Sequence, residues 1–527
     1  MGVNINFGKL MQQTVKKFAN RVALVNIERK RSFTFMELHL LTNKICNMLR
    51  TRFGMGEGDV YFNILENDNF SLIHFWLFKG QFAGAWTNYR DSFDEHMWQI
   101  DLVKPKLVFL ENSLLQKYYS PLRQRGIEIV CMDPLEERKE GIHLLWDLIE
   151  GVTDEETGIE YDREEHIVLY RFTGGTTGKG KCAVYNLDNI ILPMYGFYDH
   201  IEMLIDSETR HLHLTPVSHA SAAFVFPLFF KGATSVTMNL PDLKQFCLNI
   251  QSERISSTLL VPTILYRFLE FEVEKMFDLS SLRNVFYGAS PMTPDKLLSL
   301  QDKFGCIFIQ AYGATEALPP VSLLGKAEHK PANHLEQKRL GSCGRPASGY
   351  EIGIFDENGS EIPHGTTGEI WIRGPGVIKG YFKNPGQTES EFTDTGWWKS
   401  GDLGYVDEDG YIYIVDRKKD MIITGGFNVY AIEIEEVLAS HPAVLMSAVV
   451  GVPHPDWGEA VHAEVVLAKD SAVTEEELIA HCKERKGNYK APKSIVFVDS
   501  LPVTPVGKIL RRAVRDKYWQ SRKRQVQ

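Results

Sequence analysis

The sequence predicts an α/β protein whose large N-terminal part is built on parallel sheets and whose C-terminal part is a compact α+β module. Three changes of texture along the chain predict this. Short β-rich runs at 106–110, 167–172, 257–261 and 307–310 alternate with longer amphipathic stretches, as parallel strands joined by helices require. From about Gly349 the pattern turns to hairpins, with strand-like 350–355 and 368–373 flanking an Asp356-Glu357-Asn358-Gly359 turn. After Asp416 it changes again. A charged then apolar strand-like run at 418–424 ends at Gly425-Gly426. A helix at 432–441, strands at 444–452 and 460–468, and a helix at 474–486 follow. That last helix opens with Thr474 and Glu477, a capping box in which each side chain satisfies a free amide. The domain boundary is therefore expected at Asp416/Arg417, dividing the chain into 1–416 and 417–527. The chain has neither internal repeats nor low-complexity tracts.

At 527 residues the chain exceeds one ordinary domain, and its 44% apolar and 24% charged content is that of a soluble globular protein. The 58 basic and 68 acidic residues give a net charge of −10, which disfavours a nucleic-acid partner. The one basic cluster, Arg511, Arg512, Arg515, Lys517, Arg522, Lys523 and Arg524, reads as a solvated final helix. Seven dispersed cysteines without CxxC spacing fit a reducing compartment and no zinc ribbon. The first residues lack the apolar core of a signal peptide and carry Asn6 where a myristoylation signal needs Ser or Thr. The longest apolar run, 220–230, is broken by Pro227 and falls short of the ~20 residues that span a bilayer. A cytoplasmic enzyme is expected.

The most informative stretch is Thr173-Gly174-Gly175-Thr176-Thr177-Gly178-Lys179-Gly180-Lys181, directly after a strand. Glycines let successive amides converge on one anion, threonine hydroxyls add donors, and the lysines add charge; such a loop suits a polyphosphate. Gly175 to Lys181 nearly matches a Walker A loop, but Cys182 stands where Ser or Thr must hold magnesium, and a thiol is a poor ligand for that hard ion.

This loop resembles that of the adenylate-forming superfamily, which includes acyl-CoA synthetases, peptide-synthetase adenylation domains and firefly-type luciferases. The family loop reads T-S-G-T-T-G-x-P-K-G; here Gly174, Gly180 and Cys182 replace its serine, proline and last glycine. Further landmarks follow in the family's order. Gly288-Ala289-Ser290 resembles one wall of the adenine pocket. Gln310-Ala311-Tyr312-Gly313-Ala314-Thr315-Glu316 resembles the nucleotide motif, whose tyrosine stacks on adenine, whose threonine meets the α-phosphate and whose glutamate holds magnesium. Asp402 matches the aspartate that binds both ribose hydroxyls, and Arg417 the arginine that meets the ribose. Lys419 matches the hinge pivot, and Gly426 the segment lining the pantetheine tunnel. Lys508, in Thr504-Pro505-Val506-Gly507-Lys508, matches the lysine that reaches the carboxylate and α-phosphate.

The resemblance covers nearly the whole chain. It implies a β-barrel-like subdomain at the end of the N-terminal adenylation domain and a small mobile C-terminal domain carrying Lys508. It also implies an acid–CoA ligase that uses ATP, Mg2+ and coenzyme A, first forming an acyl-adenylate and then a thioester, within a setting such as fatty acid metabolism. The partners expected are a small-molecule carboxylic acid and coenzyme A, with a homodimer as the assembly to test. His219 is a candidate group beside the acid's carboxylate, with a packed histidine as the equal alternative. No acidic residue lies between Thr215 and Phe230, which argues against an amino-acid substrate. Apolar Ala222, Ala223, Phe226, Val261, Pro262, Ala317, Leu318 and Pro319 point to a hydrophobic acid. Delivery to a carrier-protein thiol, a luciferase-like oxygenase and a non-catalytic nucleotide sensor stay open on sequence alone.

Overall fold

The computed structural model describes residues 3–519 apart from Phe70, 174–179, 200–204, 240–241, Pro291 and 505–506. Two sheets form the N-terminal part. One has seven strands in the order Lys181–Asn186, Ile167–Thr173, Ala83–Trp86, Val60–Ile64, Leu107–Leu110, Glu128–Cys131 and Ile142–Leu144. All its neighbours are parallel except the first pair. The other has nine strands, and its middle runs Phe308–Tyr312, Asn284–Gly288, Ser257–Leu260, Arg210–His213, Thr234–Thr237 and Val22–Asn26, all parallel. Strands such as Leu107–Leu110 and Ser257–Leu260 are buried at every residue, which is why they read as unbroken runs rather than alternating ones. The helices Phe7–Phe18 and Phe35–Phe53 join the two sheets in one apolar core that includes Leu24 of one sheet and Tyr61 and Phe109 of the other.

The run at 220–230 forms a short 3-10 helix, Ala220–Phe224, followed by the helix Val225–Phe230. Among the described residues no helix is long and apolar enough to cross a membrane.

The hairpin expected near Gly349 forms, pairing Glu351–Phe355 with Gly368–Arg373 from Glu351↔Arg373 to Phe355↔Glu369. Trp398–Val406 and Ile412–Arg417 extend it to a four-stranded antiparallel sheet, which is the form taken by the barrel-like subdomain. It is tied to the neighbouring segment where Cys343 N donates to Ile412 O at 2.8 Å and Ile412 N to Gly344 O at 2.9 Å.

The small C-terminal domain packs the helices Ala431–Ala439 and Glu475–Lys486 on a mixed sheet led by Val444–His454 and Gly458–Leu467. Only Ile422–Thr424 of the strand expected at 418–424 is a strand, because Asp420 N and Met421 N turn back onto Arg417 O. The capping box is present: Glu477 N donates to Thr474 Oγ1 at 3.2 Å and Thr474 N to Glu477 Oε2 at 2.8 Å. Thr474→Ala is expected to cost this helix about 1 kcal/mol, read as faster hydrogen exchange of its first-turn amides. The final helix, Arg511–Asp516, is not simply solvated. Arg511 is 16% exposed and grips Glu435 with two nitrogens, with Asp420 at 3.6 Å and Asp416 at 3.9 Å. These acids come from distant segments that folding alone brings together.

Candidate active site

A cleft of about 1900 Å3 opens between the N-terminal part and the small domain. It lies beyond the carboxyl ends of Asn284–Gly288 and Phe308–Tyr312, where open parallel sheets bind their ligands. Gly288 pairs with Ala311, and a Cβ there would stand 2.2 Å from Ala311 O, so only glycine admits the two strand ends so close. Ala289 follows at φ 68°, turning the chain along the cleft wall. Ser290, Gln310, Ala311, Tyr312, Gly313, Thr315 and Glu316 line the same cleft, so the motifs expected to hold nucleotide are brought together.

At one corner Asp402 and Arg417 face each other across adjacent strands. Arg417 Nε lies 3.1 Å from Asp402 Oδ1, and Tyr312 Oη donates to Asp402 Oδ2 at 2.6 Å. Burial, followed by the Asp402 charge, pushes the Tyr312 phenol well above its usual range, so it stays a donor. A buried carboxylate between a guanidinium and a phenol is an acceptor of fixed orientation, suited to a vicinal diol.

Along the cleft, Lys181 N donates to Thr173 Oγ1 at 3.3 Å and closes the base of the glycine-threonine loop. Gly174, Gly175, Thr176, Thr177, Gly178 and Lys179 lie outside the described residues. Alternation along the strand sends Lys181 to the cleft and buries the Cys182 thiol in the core. The Lys181 ammonium meets Glu391 at 2.9 Å, Tyr381 Oη at 2.7 Å and Glu316 Oε1 at 3.4 Å. Tyr381 Oη also lies 2.9 Å from Glu316 Oε1. Both contacts fall on Oε1, and no described residue bonds Glu316 Oε2.

Opposite, the small domain presents Lys508 from a tight turn. Thr504 N donates to Lys508 O at 2.7 Å and Lys508 N to Thr504 Oγ1 at 3.1 Å, with Gly507 at φ 83°. Thr263 Oγ1 donates to Gly507 O at 2.9 Å, docking the turn on the large domain. Leu445 and Met446 pack against the large domain's core nearby. Burial, then Arg417, pulls the Lys508 ammonium down to about 8, against the pull of Asp402 and Glu316. His219 caps the 3-10 helix Ala220–Phe224, its Nδ1 3.0 Å from Ser218 Oγ. Burial, Arg171 and Lys508 lower it to about 3, so the ring is neutral at physiological pH. Lys419 is exposed at the cleft edge, beside the fully buried Asp416. Gly426 is not in the cleft; it lies in the exposed turn before Phe427–Val429, at φ 85°.

These residues fit the groups expected. The Gln310 amide oxygen is buried without a partner, as an acceptor awaiting a base edge would be. Among the described residues no group of three His, Cys, Asp or Glu side chains is placed to cage a metal ion. One free carboxylate oxygen beside a phosphate site is nevertheless the ligand set Mg2+ takes, since it completes its shell with phosphate oxygens and water. Tyr381 and Glu391 were missed in the sequence because they lie some two hundred positions from Lys181. The backbone contact of Phe382 N with Cys182 O, at 2.8 Å, is what joins the two segments.

The AMP-binding enzyme family profile matches residues 11–382, and that of the AMP-binding enzyme C-terminal domain matches 433–508. The chain belongs to this adenylate-forming family, in its acid–CoA ligase branch. Enzymes of this class use ATP, Mg2+ and coenzyme A. A medium/long-chain-fatty-acid–CoA ligase of Mycobacterium tuberculosis is 41% identical over 69% of this chain, and the match spans 63% of that relative's length. A 2-succinylbenzoate–CoA ligase of Bacillus licheniformis is 30% identical over 95% of this chain and 98% of its own. Among solved structures, ATP-bound MatB from Rhodopseudomonas palustris superposes with a TM-score of 0.84 at 26% identity, covering 98% of this chain and all of that one.

Proposed function

We propose that this chain ligates a hydrophobic carboxylic acid to coenzyme A in two half-reactions at one cleft. The observation that carries the reading is the Lys508 turn of the small domain, docked through Gly507 on Thr263 and facing the corner made by Tyr312, Asp402 and Arg417. In the first half-reaction a carboxylate oxygen of the acid bonds to the α-phosphorus of ATP, and the bond to the β-phosphate oxygen breaks, releasing pyrophosphate. In the second, the thiol sulfur of coenzyme A bonds to the acyl carbon, the bond to AMP breaks, and the thiol proton passes to solvent.

Each residue has a part in this scheme. Asp402 and Arg417 hold the ribose, Tyr312 and the Gly288–Ser290 wall hold adenine, and Thr315 meets the α-phosphate. Thr173, Lys181 and the loop amides hold the outer phosphates. Lys181 must exchange Glu391 for phosphate oxygen, a swap of one anion for another within the same pocket. Glu316 would hold Mg2+, which when bound supplies positive charge at the phosphate oxygens. Lys508 balances the charge that builds on carboxylate and α-phosphate. The neutral His219 ring lines the place where the carboxylate enters. Between the half-reactions the unit 417–527 turns about Lys419, withdrawing Lys508 and bringing Gly426 to the pantetheine path.

The ammonium form of Lys508 exists below its pKa of about 8 and is lost above it. Adenylation is therefore expected to be full near pH 7 and to fall as pH rises through 8, measured as pyrophosphate release without coenzyme A.

The apolar side chains of Ala222, Ala223, Leu318 and Pro319, which close around a space of only about 10 Å3, support an apolar acyl group that widens this space as it enters. A homologous series of acids tests this: pyrophosphate release should rise with added methylenes until the cavity is filled. A preference for short polar acids would contradict it.

A further inference from the structure

Lys181 is held in the cleft by an anion that the chain itself supplies. Glu391 ends the short helix Pro385–Glu391 and lines the cleft, with its side chain 20% exposed. Both of its oxygens accept from the Lys181 ammonium, Oε1 at 3.0 Å and Oε2 at 2.9 Å. Tyr381 Oη donates to Oε2, and Gln387 Nε2 donates to Oε1 at 2.6 Å. Burial pushes the Glu391 carboxyl up, but bonds from Tyr381, Lys181 and Gln387 outweigh it and hold the group below its usual range. Glu391 is therefore ionised at physiological pH.

The donors at this corner are already committed. An ammonium has three N–H groups. Those of Lys181 face Glu391, Tyr381 Oη at 2.7 Å and Glu316 Oε1 at 3.4 Å. A phosphate oxygen can bond the nitrogen only by displacing one of these partners. Glu391 is the partner best able to be left, because without Lys181 it keeps two neutral donors, Tyr381 and Gln387. The Tyr381 phenol carries one hydrogen and stands between Glu391 Oε2 and Glu316 Oε1. Turning that hydrogen to Glu391 releases Glu316 Oε1, so one exchange frees both the ammonium and the second carboxylate.

We propose that Glu391 is a positioning residue that competes with the outer phosphates of ATP for the Lys181 ammonium, holds it between turnovers, and takes it back as pyrophosphate leaves. This rests on the phosphate-binding reading of Lys181 above and adds how that site is emptied.

The test is calorimetric titration of MgATP into the natural sequence and into Glu391→Gln, with AMP as the control because it lacks the outer phosphates. Glu391→Gln keeps the shape and removes the charge. It is expected to bind MgATP about tenfold more tightly, the factor expected if Glu391 holds Lys181 about nine-tenths of the time, with AMP affinity moving less than about twofold. Glu391→Asp, which keeps the charge, should lie between the two. In turnover, pyrophosphate should inhibit Glu391→Gln at about tenfold lower concentration than the natural sequence. Weaker MgATP binding by Glu391→Gln overturns the proposal and makes Glu391 a brace that aims Lys181 at phosphate. Equal shifts for MgATP and AMP overturn it too, as a general change of the cleft. So does a tightening that persists when Lys181→Met is also present, since direct repulsion of phosphate would then carry the effect. If MgATP binds no more tightly than AMP in either protein, the phosphate reading of Lys181 fails and the proposal with it. Strong MgATP binding that Glu391→Gln leaves unmoved defeats the proposal alone.

Discussion

Replacing Lys508 by alanine is expected to slow adenylate formation by about 100- to 1000-fold, the usual cost of removing one donor aimed at developing charge. Thioester formation from a supplied acyl-adenylate should stay within about threefold of the unaltered protein, because the scheme withdraws Lys508 before the thiol arrives. The asymmetry follows from where the residue sits. Its turn is held by Thr504 and docked on Thr263, so alanine at 508 removes the ammonium while the hydrogen bonds made by the neighbouring backbone remain. Measuring each half-reaction separately, by pyrophosphate release and by acyl-CoA appearance, checks the split. Equal losses in both would mean that Lys508 supports the fold of the cleft instead.

The second large effect is expected at Asp402. Asp402→Ala removes the acceptor shared by Tyr312 Oη and Arg417 Nε and leaves both donors facing a gap. The KM for ATP should rise roughly 10- to 100-fold, because a buried site built to bond a diol loses the group that reads it. The preference for ATP over its 2′-deoxy analogue should shrink together with it. Asp402→Asn keeps the shape and an acceptor oxygen, and should fall between the two. A raised KM with an unchanged preference would place the defect in Arg417 rather than in diol recognition.

Much of this site was readable in the sequence because its parts are local. Glycines, hydroxyls and charges cluster at strand ends, and the run from Gln310 to Glu316 is the end of one strand, Phe308–Tyr312, with the loop that directly follows it. The alternation that predicts parallel sheets is likewise a local signal, and the bounds of the four strands read from it differ from expectation by a residue or two. What escaped depends on contacts between distant segments. Glu391 and Tyr381 reach Lys181 only because the segment after Gly380 pairs with the strand Lys181–Asn186. Arg511 reads as one more solvated cation until folding sets Glu435 and Asp420 against it.

The central claim is that one cleft adenylates an acid and then delivers it to coenzyme A. The most direct test is AMP release from MgATP with a panel of carboxylic acids, each with and without coenzyme A. The account predicts that one class of acid gives AMP release stimulated by coenzyme A, with one acyl-CoA formed per AMP. Pyrophosphate release that coenzyme A leaves unchanged, with no acyl-CoA formed, would contradict it and move the acceptor to a different thiol.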